Sequence, residues 1–171
     1  MEIILRNRLA VAFTGPSNSG KTTLIVKVAQ KLIKEHSKKV AIIKNDPKDK
    51  AHFDVPGKDS HKFSETGAEV VVTSPTRTTL FSQQHKELGE IIAMLGDFDV
   101  LLVEGLKNLP LPRISIFRNK IDEAYFPYMD ALAVDGSIDL AEYILPDDVS
   151  VLDLNSEDGV ITWILNNAKE V

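Results

Sequence analysis

Gly15-Pro16-Ser17-Asn18-Ser19-Gly20-Lys21-Thr22 decides how the rest of the chain is read. The segment fits G-x-x-x-x-G-K-[ST] at every fixed position. Glycines let such a loop curl with its backbone N–H groups turned inward toward phosphate oxygens. A helix starting at Lys21 adds the positive end of its dipole to the same place. Lys21 supplies a flexible cation for the outer phosphates, and Thr22 offers a hydroxyl to Mg²⁺, with Thr23 as a substitute. Pro16, Ser17, Asn18 and Ser19 form the turn between the two glycines. Context supports the motif: the apolar run Leu9-Ala10-Val11-Ala12-Phe13 reads as a buried strand directly before it. Leu24, Ile25, Val28, Ala29 and Leu32 recur at helical spacing directly after it, within a helix expected over Lys21 to His36.

Outward from this loop, short apolar runs alternate with helical ones. Strands are expected at Val40–Ile43, Glu69–Thr73, Thr78–Phe81, Val100–Val103, Ile114–Phe117 and Ala131–Val134. Helices are expected at Lys58–Thr66, Gln83–Leu95 and Ser156–Ala168, the last with Ser156 as N-cap. Asn45 to Gly57 holds two prolines and reads as a loop. The alternation predicts an α/β, three-layer P-loop NTPase fold with a mostly parallel central sheet flanked by helices. The 171 residues suit a single P-loop nucleotide-binding domain spanning 1–171.

Bulk properties narrow the function classes. With a net charge of −5, the chain lacks the basic balance that broad nucleic-acid binding requires. It has no cysteine, which removes disulfides and thiolate metal sites. No apolar run approaches a membrane span. Met1 to Arg6 does not open a secretory leader, so a cytoplasmic address is expected.

Two carboxylates end apolar strands where open α/β sheets bind ligands. Glu104 closes Val100-Leu101-Leu102-Val103 and is followed by Gly105, which permits close approach to an outer phosphate. Asp46 follows the strand Val40 to Lys44. Each is a candidate to complete the Mg²⁺ shell with Thr22 or to orient water, and with Lys21 they form the candidate catalytic set. Asp46 also reads as an ordinary turn residue before Pro47, and Asp99 as a solvated strand start. Asn119-Lys120-Ile121-Asp122 has the form N-K-x-D, which resembles the guanine-recognition motif of GTPases. A carboxylate at Asp122 can accept two hydrogen bonds from the guanine N1–H and N2–H₂ groups, a pair adenine does not offer. Lys120 can cover the base and Asn119 can brace the loop.

The phosphate loop, Ile42-Ile43-Lys44, Pro56-Gly57-Lys58-Asp59-Ser60, Thr66-Gly67-Ala68, Leu102-Val103-Glu104-Gly105-Leu106-Lys107 and Ile116-Phe117-Arg118 together resemble the MobB family. The likeness runs over most of the chain. It implies a GTP-binding adaptor of molybdenum-cofactor guanylation. Such a protein is a homodimer that binds GTP with Mg²⁺, hydrolyses it slowly, and assists the enzyme joining GMP to molybdopterin. The chain departs from the family after Lys44, where Asn45-Asp46-Pro47 replaces a His-containing sequence, and in its full N-K-x-D form. Lys58, Asp59 and Ser60 are candidates for a further anion or partner contact, or simply a helix start.

Arginines are few, and Arg77, Arg113 and Arg118 are the candidates for a charge-stabilising finger in cis. Rival readings are a small-metabolite kinase, a metallochaperone-type GTPase and a non-catalytic nucleotide switch. A kinase needs an arginine-bearing lid. A metallochaperone commonly carries Cys/His clusters, whereas His36, His52, His61 and His85 are scattered here.

Overall fold

A computed structural model describes residues 7–171. Met1 to Arg6, on which the expectation of no leader was based, lie outside the described residues. The chain gathers into two compact units, one built from residues up to Asn45 together with Asp97–Val171, the other from Asp46–Gly96.

The first unit is organised by a sheet of seven strands. Six run parallel in the order β2 (Val40–Lys44), β5 (Val100–Glu104), β1 (Leu9–Thr14), β6 (Arg113–Phe117), β7 (Ala131–Val134) and β8 (Ser150–Asp153). The two-residue β9 (Lys169–Glu170) pairs antiparallel with the start of β1, on residues Leu9 and Ala10. This is the mostly parallel sheet that the alternating pattern predicts. The central strands are apolar on both faces because both are covered. Val11, Phe13, Val100, Leu102, Ile114, Ile116, Ala131 and Ala133 project to one side, where they pack on α1 (Lys21–Lys34) and α4 (Glu157–Asn167). Phe117, Leu132 and Val134 project to the other, against Ile121, Met129 and Ile138, with Tyr125 and Phe126 of the 3₁₀ helix Glu123–Tyr128.

Because all six strands are parallel, their carboxyl ends share one edge. That edge brings together Lys44, Glu104, Gly15, Arg118 and Asp135. No helix among the described residues is long and apolar enough to cross a membrane.

The second unit carries α2 (Asp59–Ser64), the antiparallel hairpin β3 (Val70–Thr73) and β4 (Thr78–Phe81), and α3 (Leu88–Met94). Ser74 closes the hairpin turn: its N–H donates to the Arg77 carbonyl at 2.8 Å, and its hydroxyl accepts the Arg77 N–H at 3.1 Å.

Several elements are shorter than their sequence patterns predict, α2 as Asp59–Ser64 among them. The helix expected from Gln83 starts only at Leu88, because Glu87 and Glu90 form a reciprocal capping box that fixes the start there. The first helix stops at Lys34 rather than His36, with Ser37 in the left-handed region beyond it. β8 and β9 are additional. The half-exposed pattern of Ser150–Asp153 carries no apolar run, and a two-residue strand carries no period at all.

Ser156 caps α4 as its sequence predicts, its hydroxyl accepting the Gly159 N–H at 3.2 Å. Ser156→Ala is expected to lower stability by about 1 kcal/mol. Urea denaturation followed by circular dichroism measures it.

Candidate functional site

The phosphate loop is forced into shape by its neighbours. Gly15 has φ 141°, and a Cβ there would stand 2.3 Å from the Ile116 carbonyl oxygen of β6. Gly20 caps α1 in the left-handed region at φ 99°, and Asn18 adds a second left-handed turn at φ 64°. Asn is among the few side chains that adopt that conformation readily. Pro16, Ser17 and Asn18 are exposed, as are Thr22 and Thr23 at the start of α1. Ser19 is buried, and its hydroxyl has no hydrogen-bond partner. A buried hydroxyl without a partner, in a loop curled by Gly15, Asn18 and Gly20 at positive φ, is a group that an oxyanion could satisfy.

Lys21 folds back over the loop. Its ammonium donates to the Gly15 carbonyl at 3.0 Å and to the Pro16 carbonyl at 2.6 Å. Partial burial lowers its pKa, the Glu104 carboxylate opposes that shift, and the Lys44 ammonium adds to it. Glu104 is the counter-charge. It pairs in register with Phe13 on one side and Lys44 on the other, and strand alternation puts it on the same face as Val100 and Leu102. One of its oxygens lies 3.5 Å from Lys44 Nζ. Thr22, Lys21 and Glu104 are the hydroxyl, cation and carboxylate that could hold a metal-bearing polyphosphate.

Asp46 is held otherwise. One carboxylate oxygen accepts the N–H groups of Lys50 and Ala51, each at 2.7 Å, and the other faces the Lys48 N–H at 3.4 Å. These bonds make it a cap for its own loop, in line with its turn reading. Asp99 likewise accepts the Lys39 N–H at 2.7 Å, at the amino end of its strand.

The loop after β5 is fixed from beneath by Arg113, whose side chain is buried. Its guanidinium donates to the carbonyls of Gly105, Leu106 and Leu109 at 3.0–3.2 Å. Burial lowers its pKa, and nearby Asp130 opposes the shift. These bonds hold Gly105 (φ 88°) and Leu106 (φ 51°) in left-handed conformations. Arg113 is thus committed to the scaffold and cannot serve as a finger.

Arg118, one of the arginines singled out as a candidate finger, lies beside the phosphate loop. Its guanidinium sits 3.5–3.6 Å from the position a Cβ on Gly20 would take. Its Nε is 3.2 Å from a carboxylate oxygen of Asp135. The Ser137 hydroxyl bonds to that carboxylate's other oxygen and accepts the Asn119 N–H at 2.8 Å. Hydrogen bonds from Ser137, with help from Arg118, hold the Asp135 pKa below its ordinary value. The network ties the Asn119–Asp122 loop to the turn after β7. Asp135, a carboxylate ending a parallel strand just as Glu104 does, was the available signal for it. Asn119, Lys120 and Asp122 are exposed, while Ile121 is buried and its N–H reaches the Tyr143 hydroxyl at 3.2 Å. Asp122 Oδ1 accepts the Ala124 N–H at 3.1 Å and so caps the 3₁₀ helix that follows.

The profile of the family described as "MobB: Molybdopterin guanine dinucleotide synthesis protein B" matches residues 10–135. The chain belongs to this family. It is 31% identical over 172 residues to the molybdopterin-guanine dinucleotide biosynthesis adapter protein of Haemophilus influenzae, covering 96% of this chain and 92% of that one. It is 32% identical over 116 residues to a putative adapter protein of the same description from Methanocaldococcus jannaschii, covering 64% of this chain. That match spans only 47% of the Methanocaldococcus protein's length. In fold, the chain is similar to the crystal structure of Bacillus subtilis MobB, with a TM-score of 0.70 and 21% identity over 94% of this chain and 98% of that one.

Gly15→Ala is expected to destabilise the fold by about 2 kcal/mol or more, because the Ile116 carbonyl must yield. Gly136→Ala meets nothing within 4 Å and should stay within about 0.5 kcal/mol of wild type. Arg113→Lys keeps the charge but lacks the planar fork, and is expected to cost about 1–3 kcal/mol. Urea unfolding of the three variants tests these values.

Proposed function

We propose that this MobB-family chain is a GTP-loaded adaptor with weak GTPase activity that assists guanylation of molybdopterin, its partner being the molybdopterin guanylyltransferase. The observation that carries this reading is the cradle itself, with its strained glycines, the orphaned Ser19 hydroxyl and Lys21 beside Glu104. Gly15 to Thr22 hold the phosphates, Thr22 and Glu104 hold Mg²⁺, and Asp46 is the lesser candidate. Bound there, Mg²⁺ offsets phosphate charge. Lys21 leaves its carbonyl partners for the outer phosphates, and Glu104 orients water. The pathway is that of its relatives, described as molybdopterin-guanine dinucleotide biosynthesis adapter proteins.

Slow turnover follows from the arginines. Arg113 is consumed by three carbonyls, and Arg118 is held by Asp135. With no arginine released toward the outer phosphate, hydrolysis by the chain alone is expected on the order of 10⁻⁴ to 10⁻² s⁻¹. A single-turnover assay yielding rates a hundred times faster would overturn the adaptor reading in favour of a stand-alone enzyme.

Asn119, Lys120 and Asp122 are proposed to read the base, with Asp122 accepting from guanine. Wild type should therefore prefer GTP to ATP, and Asp122→Asn should lose at least ~10-fold in GTP affinity while gaining xanthosine triphosphate. A wild-type preference for ATP would sink the assignment.

The lowered Lys21 pKa adds a pH test. Phosphate binding favours the charged ammonium, so affinity is full below the free-state pKa of Lys21 and falls as pH rises through it. Burial brings that fall to a lower pH than an ordinary lysine would show. Calorimetric titration across the alkaline range should show it for wild type, and Lys21→Arg should abolish it.

A homodimer is also part of this reading. On the outer face of the hairpin, Val71 and Leu80 pair in register and are 57% and 41% exposed. An apolar cross-strand pair left in water favours self-association. Val71→Lys should convert a dimer to a monomer by light scattering.

A further inference from the structure

The segment Pro56-Gly57-Lys58-Asp59-Ser60, which the phosphate-loop motif does not use, borders a cleft of the second unit through Lys58 and Ser60. That cleft has a volume of about 360 Å³ and lies wholly within residues 53–81. This is the small end of the range for small-molecule sites, roughly 300–1,000 Å³.

Its floor is one face of the hairpin. Strand alternation turns Arg77, Thr79 and Phe81 to this side, opposite the Val71–Leu80 face. Arg77 is fixed at the strand start by the Ser74 turn. The opposing wall is the loop from Phe53 to Lys58. Asp54 staples that loop to α2, with its two oxygens accepting the Ser60 hydroxyl at 2.8 Å and the Ser64 hydroxyl at 3.4 Å. The wall is therefore held in place before any ligand arrives.

The lining combines two chemistries. Lys58 and Arg77 are cations, and among the described residues no carboxylate lies within ion-pair distance of either. The one acidic side chain in the cleft, Asp54, is occupied by its serines. Phe53, 82% exposed, and Phe81 offer aromatic surface beside them. Two uncompensated cations call for a phosphate, since an Arg fork and a Lys point charge are the usual phosphate partners. An exposed ring at Phe53 and a part-buried one at Phe81 suit a flat ring that stacks between them.

We infer that this cleft binds a phosphorylated flat heterocycle, the terminal phosphate between Lys58 and Arg77 and the ring against Phe53 and Phe81. This rests on the adaptor reading above for the identity of the ring. A molybdopterin guanine dinucleotide joins two halves through a phosphoanhydride, so the pterin half must bring a phosphate monoester of its own. The cradle is assigned to the adaptor's own GTP. The pterin half is the occupant assigned to the cleft.

The test uses the full chain and the intrinsic fluorescence of a 6-alkylpterin carrying a terminal phosphate monoester. Saturable binding is expected, at least about tenfold weaker for the same pterin without phosphate. Lys58→Gln and Arg77→Ala should each weaken it about tenfold, with Arg77→Lys recovering part of the loss. Phe53→Ala, at a largely exposed position, should weaken it about fivefold or more. Matching circular dichroism and urea midpoints separate these losses from misfolding. Lys21→Ala should leave pterin binding intact while abolishing GTP binding. The inference is overturned by absence of saturable binding, by binding that the Lys58 and Arg77 variants do not alter, or by competitive displacement with GMP, which would make the cleft a nucleotide site. Failure of wild type to bind GTP, with pterin binding intact, would instead strike the adaptor reading alone.

Discussion

The approach of Gly15 to the Ile116 carbonyl is the contact on which the site depends. It presses the phosphate loop onto the end of β6, at a spacing that leaves no room for a side chain. Three consequences follow from this seating. The loop is curled, with Gly15, Asn18 and Gly20 all at positive φ. α1 is launched from Gly20 with its dipole aimed at the same point. The residue that continues β6, Arg118, arrives beside Gly20 while staying exposed. One steric constraint therefore sets the anion cradle and also brings a cation to its rim.

Charge at this edge of the sheet is arranged in held pairs. Lys44 faces Glu104, Arg118 faces Asp135, and Lys21 lies on the carbonyls of its own loop. Lys21 and Lys44 each have a partner they can exchange for a phosphate, whereas Arg118 stays with Asp135 and Arg113 is buried and bound to three carbonyls. Hydrogen bonds from Ser137, with a smaller contribution from Arg118, favour the charged form of Asp135. The folded-state pKa of Asp135 is depressed, so its contribution is present above the unfolded value and lost only as pH falls through the lower folded one. Removing charge from Lys21 is the alkaline counterpart, and it acts on ligand binding rather than on the scaffold.

The parallel sheet, the phosphate loop and the place of Glu104 were legible in the chain because each rests on local rules. These are apolar runs of strand length, a fixed motif between strand and helix, and a carboxylate at a strand's end. Arg113 was misread for the opposite reason. Nothing in Leu111-Pro112-Arg113 shows that three carbonyls from residues 105–109 converge on its guanidinium. The bond between Asn119 and Ser137 joins positions far apart in sequence, so the motif Asn119–Asp122 showed its residue types but not what braces it. Asp46 was ambiguous until the N–H groups of Lys50 and Ala51 were placed around it. β8 escaped because an edge strand with a half-exposed pattern has no apolar run to betray it.

The second unit shows how period-2 alternation divides one hairpin between two tasks. Val71 and Leu80 face one way, while Arg77, Thr79 and Phe81 face the other. Shifting the register by one residue would exchange the two sets and put the cation on the apolar side. The Ser74 turn guards against that slip, since its backbone and hydroxyl both bond to Arg77. A short hairpin held at its turn can thus offer an apolar face for association and a charged, aromatic face for a ligand. Neither face then has to compromise its chemistry for the other.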